Sequence, residues 1–321
     1  MRMNGRRFAL YFAWSRPAEI GADLGVLPNR YPTLFEFRRA IWPLYEWASD
    51  PANFSQDVSG FLDHVILFDF RTFDRAISEA TGHPVSLIQR VDDQPPVREI
   101  DEDFLRGIDT LIVVSLDHFR TEQRPTDGEV QAIEHFLERE DACLIVCPHH
   151  DVGAGDDQKS RETELRHHAD GLVPSQQRIG GFARSLLDEL GLPVENRYGL
   201  NPARRKEDNS PADLQLPADL DELRILRGVS TFNLHPHLPH LHVPEPFART
   251  ARVLARQPIN PQASSHPFVE AGNRYFDALV WIPPDGSRAG NTFVCDATLW
   301  SSAFGGAESL QTFWGNLASL K

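Results

Sequence analysis

The sequence predicts an α/β fold: a three-layer open sheet, mostly parallel, with helices on both faces. Three observations carry this expectation. Phe8 to Trp14 (FALYFAW) is an unbroken apolar run of strand length, which suits a strand covered on both faces. Gly107 to Asp151 reads as a buried strand, a loop, an amphipathic helix and a second buried strand, an order that makes a right-handed parallel unit. From Phe73 onward, strand and helix patterns alternate along the chain.

Taken in order, Phe8–Trp14 is the first strand, expected in the interior of the sheet. Ser15 to Pro32 follows it with three prolines and two glycines, so Arg16, Glu19, Asn29 and Arg30 either face a ligand or decorate the surface. Thr33 and Glu36 form a capping-box pattern ahead of a stripe of Leu34, Phe37, Ile41 and Leu44, which Pro43 should kink. Residues 50–60 read as a loop, and Val65–Phe70 as a short apolar run compatible with strand or helix. Phe73–Thr81 is helical until Gly82 and Pro84 end it, and Val85–Val91 is the next strand. After the polar turn 92–101, Asp109–Ser115 is a strand. Thr126 then caps a helix through Glu129, with Val130, Ile133, Phe136 and Leu137 on its apolar face. Ala142–Cys147 is a strand, and the polar stretch after it is long enough to line or cover a site. Phe182–Leu190 is a helix closed by Gly191 and Pro193. Leu223–Leu226, Arg252–Ala255 and Tyr275–Ile282 read as strands, and the chain ends with a strand, a polar turn with a glycine pair, and a helix.

The 321 residues are expected to form a single α/β domain, 1–321, with irregular insertions at about 151–176 and about 200–222. Twenty-four prolines against 21 glycines point to long, stiff connections. A net charge of -14 opposes a nucleic-acid partner, whose phosphates need Lys and Arg, and the arginine pairs 6–7, 38–39 and 204–205 are scattered. Three cysteines without regular spacing make a poor disulfide framework, which points to a reducing, cytoplasmic setting. The N-terminal apolar run is short, carries the polar-tipped aromatics Tyr11 and Trp14 and lacks a small-residue cleavage site, so it reads as a strand rather than a leader. No run is long enough to span a bilayer, and no membrane partner is expected.

Four clusters have the residue types that chemistry needs. Cys147-Pro148-His149-His150-Asp151 places a thiol, two imidazoles and a carboxylate at a strand's carboxyl end: a nucleophile, a base and an orienting group, or else a core cysteine and a surface turn. His235, His237, His240 and His242 put four imidazoles in eight residues, enough for a divalent metal such as zinc. Prolines 236, 239 and 244 nevertheless favour an extended chain, in which those rings diverge. Asp296, with Thr298, Ser301 and Ser302, ends a strand and either orients a histidine or caps the following turn. His167-His168 decorates a short helix, and Gly180-Gly181 precedes a helix N-terminus without a phosphate-loop signature.

The segments IDTLIVVS, PTDGEVQAIEHFLERE and ACLIVCPHHD, together with the closing NTFVCDATLWSSAFGG and FWGNL, resemble the class I glutamine amidotransferase-like superfamily, in its divergent ThuA-like branch. The resemblance covers under half of the chain and implies a flavodoxin-like, glutamine amidotransferase-like sheet with a functional turn after the second of these strands. Two departures separate the chain from a true glutaminase. Pro148 follows Cys147 and has no N–H for an oxyanion hole. The family's His-Pro-Glu motif is absent as such, His242-Val-Pro-Glu245 and His266-Pro-Phe-Val-Glu270 being only near misses, so the standard Cys-His-Glu triad is absent. The reading that follows is a hydrolase-type enzyme acting on a small polar molecule, with His149 or His150 as acid/base, Asp151 or Asp296 as orienter and Cys147 as nucleophile. The alternatives are a metal-dependent enzyme using the 235–242 histidines, and a non-catalytic ligand-binding or scaffold domain.

Overall fold

The computed structural model describes residues 5–13, 70–90, 98–115, 123–148, 158–167, 181–217, 219–235, 238–302 and 304–320. Within them the first half of the chain forms β1 (Phe8–Ala13), α1 (Arg71–Thr81), β2 (Ser86–Arg90), α2 (Glu102–Arg106), β3 (Thr110–Ser115), α3 (Asp127–Leu137), β4 (Cys143–Pro148) and α4 (Gln158–His167). The second half forms α5 (Gly181–Glu189), β5 (Glu195–Leu200), β6 (Leu238–His242), β7 (Arg252–Pro258), α6 (Pro267–Glu270), β8 (Tyr275–Ile282), β9 (Asn291–Cys295) and α7 (Ala307–Ala318). Short 3-10 turns lie at Glu245–Phe247 and Ala297–Trp300. The readings made for residues 14–69, including the Thr33 helix, lie outside the described residues.

Seven strands make one sheet in the order β2-β1-β3-β4-β9-β8-β7, parallel from β2 to β9 and antiparallel from there to the β7 edge. This is the mostly parallel α/β sheet that the sequence predicts. Alternate side chains of each strand point to opposite faces, which divides the core in two. Phe8, Leu10, Phe12, Ile112, Val114, Ile145 and Phe293 pack against α1 and α7. Ala9, Tyr11, Leu111, Val113, Leu144, Val146 and Val294 pack against α2, α3 and α5. Every residue of β1, β3 and β4 is buried, as unbroken apolar runs in a parallel sheet require.

Local sequence accounts for most element ends. Thr126 Oγ1 accepts from Glu129 N–H at 3.3 Å while Glu129 Oε2 accepts from Thr126 N–H at 2.9 Å, the capping box read from sequence. Gly82 ends α1 in the left-handed region, at φ 78°, where a Cβ is disfavoured. The Leu223–Leu226 strand is not formed. Asp221 takes the amides of Ile225 and Leu226 on its carboxylate, and Arg224 turns to φ 57°, so the segment is a run of turns with its leucines facing the core. The 200–222 stretch runs along the sheet edge: Gln215 and Arg256 of β7 exchange both backbone hydrogen bonds, and Ala203 N–H donates to Pro258 O. An edge strand is thereby covered. Among the described residues no helix is long and apolar enough to cross a membrane.

One buried ion pair ties these elements together. Both carboxylate oxygens of Glu129 accept from Arg90 Nη1, and Oε1 also takes Ile100 N–H at 3.0 Å and Tyr11 Oη–H at 3.3 Å. Glu129 and Arg90 are 1% and 4% exposed, and the Arg90 guanidinium lies 5.1 Å above the Phe182 ring. Removing one partner leaves the other charge buried and uncompensated. Glu129→Ala or Arg90→Ala is expected to lower the unfolding free energy by about 3–5 kcal/mol, whereas the double change Arg90→Met with Glu129→Gln, which removes both charges and keeps an amide oxygen for the Ile100 or Thr126 N–H, loses less. Urea unfolding of the three variants checks this; equal losses in all three would contradict the account.

Candidate site at the carboxyl edge of the sheet

The carboxyl ends of four parallel strands lie in one row, because register pairs Arg90 with Ala13, Ala13 with Ser115 and Ser115 with Pro148. From β1 the chain moves outward to β2 on one side, by way of α1. It then returns to β3 on the other side of β1, and α3 carries it on to β4 across the opposite face. Strand order thus reverses between β1 and β3. Connections that leave adjacent strand ends for opposite faces open a crevice there, and ligands of open α/β sheets gather in it. At this point Ser115, fully buried, accepts the Ala183 N–H of α5 on its Oγ at 3.0 Å.

One strand further, the ends of β4 and β9 carry groups singled out from sequence, and they are occupied by packing. Cys147 is 0% exposed, accepts the Trp300 indole N–H on its Sγ at 3.1 Å and lies 3.7 Å from Cys295 Sγ. Trp300 belongs to an aromatic cluster with Phe73 and Phe313 at centroid distances of 5.2 and 5.6 Å. Asp296 caps the 3-10 turn: its Oδ1 accepts Thr298 N–H at 2.9 Å and Thr298 Oγ1–H at 2.6 Å. Asn233 Nδ2 donates to Thr298 O and Oγ1, its Oδ1 accepts His235 N–H, and its carbonyl accepts Gln257 Nε2–H. Asn233 therefore brings Asp296 and His235 into one buried network, while the His235 ring stands edge-on to Phe304 at 4.5 Å.

Four other histidines, His167, His240, His242 and His266, gather elsewhere. β5 and β6, which the sequence reading did not foresee, pair antiparallel with an irregularity beside Pro239. Tyr198 of β5 stacks on His240 of β6 at 6.1 Å and lies 4.7 Å from His266, whose ring is 5.4 Å from His167. His240 and His242 are 5.8 Å apart, centroid to centroid. Burial lowers the pKa of His240 and of His266 to about 4, and lowers His167 as well. Burial also raises Tyr198 above its ordinary value.

Comparison with known proteins leaves the family open. No family model matches the chain, and no curated protein does. Among solved structures it is similar to the mmIFT52 N-terminal domain, at 10% identity and TM-score 0.41 over 94% of this chain and 92% of that one. It is also similar to a protein described as ThuA-like from Bacteroides uniformis, at 10% identity and TM-score 0.34 over 90% of this chain and 81% of that one.

Of the residues proposed from sequence, Cys147, Asp296, His235, His240 and His242 are described, whereas His149, His150, Asp151 and His237 lie outside the described residues. Among the described residues no group of three or more His, Cys, Asp or Glu is placed to hold a metal ion. Sequence reasoning missed Asn233 and Tyr198, and noted His266 only as part of a near-motif. Nothing local marks Asn233, because its partner Thr298 lies 65 residues away. Burial pushes the Cys143 thiol up to about 12 and raises Cys295 well above its ordinary value, and all three cysteines are buried. Thiol titration of the native protein is expected to detect almost none of the three, and all three after denaturation. A native thiol as reactive as free cysteine, lost in C147A, would restore Cys147 as a nucleophile.

Proposed function

We propose that the chain binds a small polar molecule in the crevice outside the carboxyl ends of β1 and β3. In this reading it acts on that molecule by hydrolase-type acid–base chemistry without a thiol nucleophile. The reversal of strand order between β1 and β3 carries the proposal, since it supports a crevice beside Ser115 and next to the end of β4. His149 or His150, directly after β4 in sequence, supplies the acid/base, and Asp151 is its orienter. Cys147 has no nucleophilic part in this reading, because its sulfur is buried under Trp300. Asp296 is assigned to capping for the corresponding reason. The resemblance to the ThuA-like branch stated from sequence supports the choice of a hydrolase-type reaction.

The test is a panel of esters, amides and small sugars assayed for turnover and for thermal stabilisation of the protein. For a compound that is turned over, the double variant His149→Ala with His150→Ala is expected to lower kcat by about 10²–10⁴-fold with unfolding unchanged. Cys147→Ala is expected to leave kcat within a few-fold. Turnover unaffected by loss of both histidines would remove them from the chemistry. Stabilisation without turnover would make the protein a binding domain, and the absence of both turnover and stabilisation would overturn the proposal.

A further inference from the structure

Among the described residues, three imidazoles accept a backbone amide. Asn201 N–H donates to His167 Nε2 at 3.1 Å, Phe268 N–H to His266 Nδ1 at 3.1 Å, and Asp277 N–H to His240 Nδ1 at 3.2 Å. A ring nitrogen accepts only while it carries no proton, so each bond requires a neutral ring. His167 Nδ1 donates to Ser264 O at 2.6 Å, which fixes its tautomer. Two of these rings, His167 and His266, face one another at 5.4 Å and join separate parts of the chain. His167 is the last residue of α4, a strongly polar helix (QKSRETELRH) whose buried side chains, among those described, are Glu164 and His167. An amphipathic helix is normally held by an apolar stripe. The described anchor of α4 is ionisable.

We propose that His167 and His266 form an acid-sensitive latch, which holds α4 to the end of β5 and to the 264–268 segment while both rings are neutral and releases it when they take up protons. A proton on His167 Nε2 sets N–H against the Asn201 N–H. A proton on His266 Nδ1 does the same to Phe268 N–H and removes the N-terminal cap of α6. Two imidazolium rings at this separation also repel.

The groups facing the latch come from every element around it. Glu270 of α6 draws a proton to His266, whereas His167 opposes it. Glu164 of α4 and Arg197 of β5 face Tyr198, while His242, Arg197, Arg256 and Asp277 face His240 on the far side of Tyr198. Burial outweighs the carboxylates, and both latch histidines titrate below the ordinary imidazole value. A histidine held neutral stabilises the closed arrangement fully above the released pKa of about 6.5. That contribution is lost as the pH falls from there towards about 4, where His266 itself takes up its proton.

Hydrogen exchange of the full chain at about pH 7.5 and about pH 5, corrected for intrinsic rates, tests the latch. With a held value of about 4, His266 alone shifts the release equilibrium about 30-fold between these conditions. Protection of 158–167 and 264–270 should fall accordingly at the lower pH, while β3 and β4 keep theirs. The double variant His167→Gln with His266→Asn keeps an amide-accepting oxygen at each position without a titrating ring, and should lose the response. Unchanged protection of 158–167 in the wild type, or an equal response in the double variant, would overturn the proposal. Should that variant fail to fold, ring-nitrogen NMR of the wild type decides. Fixed neutral tautomers persisting to about pH 5, with the proton on Nδ1 of His167 and Nε2 of His266, support the latch, and ordinary titration near pH 6.5 overturns it.

Discussion

The Glu129 carboxylate locates four parts of the fold at once, because burial forces every one of its hydrogen-bond partners to stay. It holds the N-terminus of its own helix through Thr126, the side chain of β1 through Tyr11, the end of β2 through Arg90 and the segment before α2 through Ile100. A carboxylate this deep is tolerated only when charge and hydrogen bonds are both satisfied. Displacing β2 relative to α3 would break several contacts together. Arg90 is also the last residue of β2 and shares the terminal row of the sheet with Ala13, Ser115 and Pro148. The interaction that fixes the parallel half of the sheet therefore fixes the edge at which its loops emerge.

Along that edge the polar groups divide by neighbourhood. At the ends of β4 and β9, Cys147 serves Trp300, Asp296 serves Thr298, and Asn233 links the turn to the backbone of His235. Each of these contacts satisfies a group that burial would otherwise leave unpaired. Between β1 and β3 the strand order reverses. Ser115 secures the start of α5, and α1 and α3 lie on opposite faces of the sheet. His149–Asp151 follow β4 directly in sequence, which keeps them in the proposed reading, while the packing of Cys147 against Trp300 takes its thiol out of it.

What the sequence made legible follows from the range over which each signal acts. The runs Phe8–Ala13, Thr110–Ser115 and Cys143–Cys147 are strands buried on both faces, and their continuous hydrophobicity says so directly. The Thr126–Glu129 box is legible because both partners lie within one turn. The second role of Glu129 is not, since Arg90 is 39 residues away. β5 (ENRYGL) and β6 (LPHLH) carry charge, glycine and proline in place of a strand pattern, and only their mutual pairing makes them strands. Leu223–Leu226 misled for the opposite reason: its apolar residues do reach the core, but from turns that the Asp221 carboxylate closes. At the candidate site the residue types at strand ends were legible, whereas their hydrogen-bond duties depend on contacts such as Asn233 with Thr298 that no local spacing encodes.

His240 shows how an imidazole whose residue type suggests a ligand can also serve the backbone. Four imidazoles in eight residues suggest ligands because each neutral ring offers one lone pair. In His240 that lone pair, on Nδ1, already accepts the Asp277 amide, and the ring proton therefore resides on Nε2. Ligating a metal through Nε2 would require the other tautomer, which places Nδ1–H against the Asp277 N–H of the central sheet's β8. Metal binding at His240 thus competes with a part-buried hydrogen bond from the β8 backbone. His167 and His266 follow the same rule at other strand and helix ends, where a backbone amide would otherwise lack an acceptor. An amide or hydroxyl oxygen could satisfy those amides permanently; an imidazole satisfies them only while it is neutral.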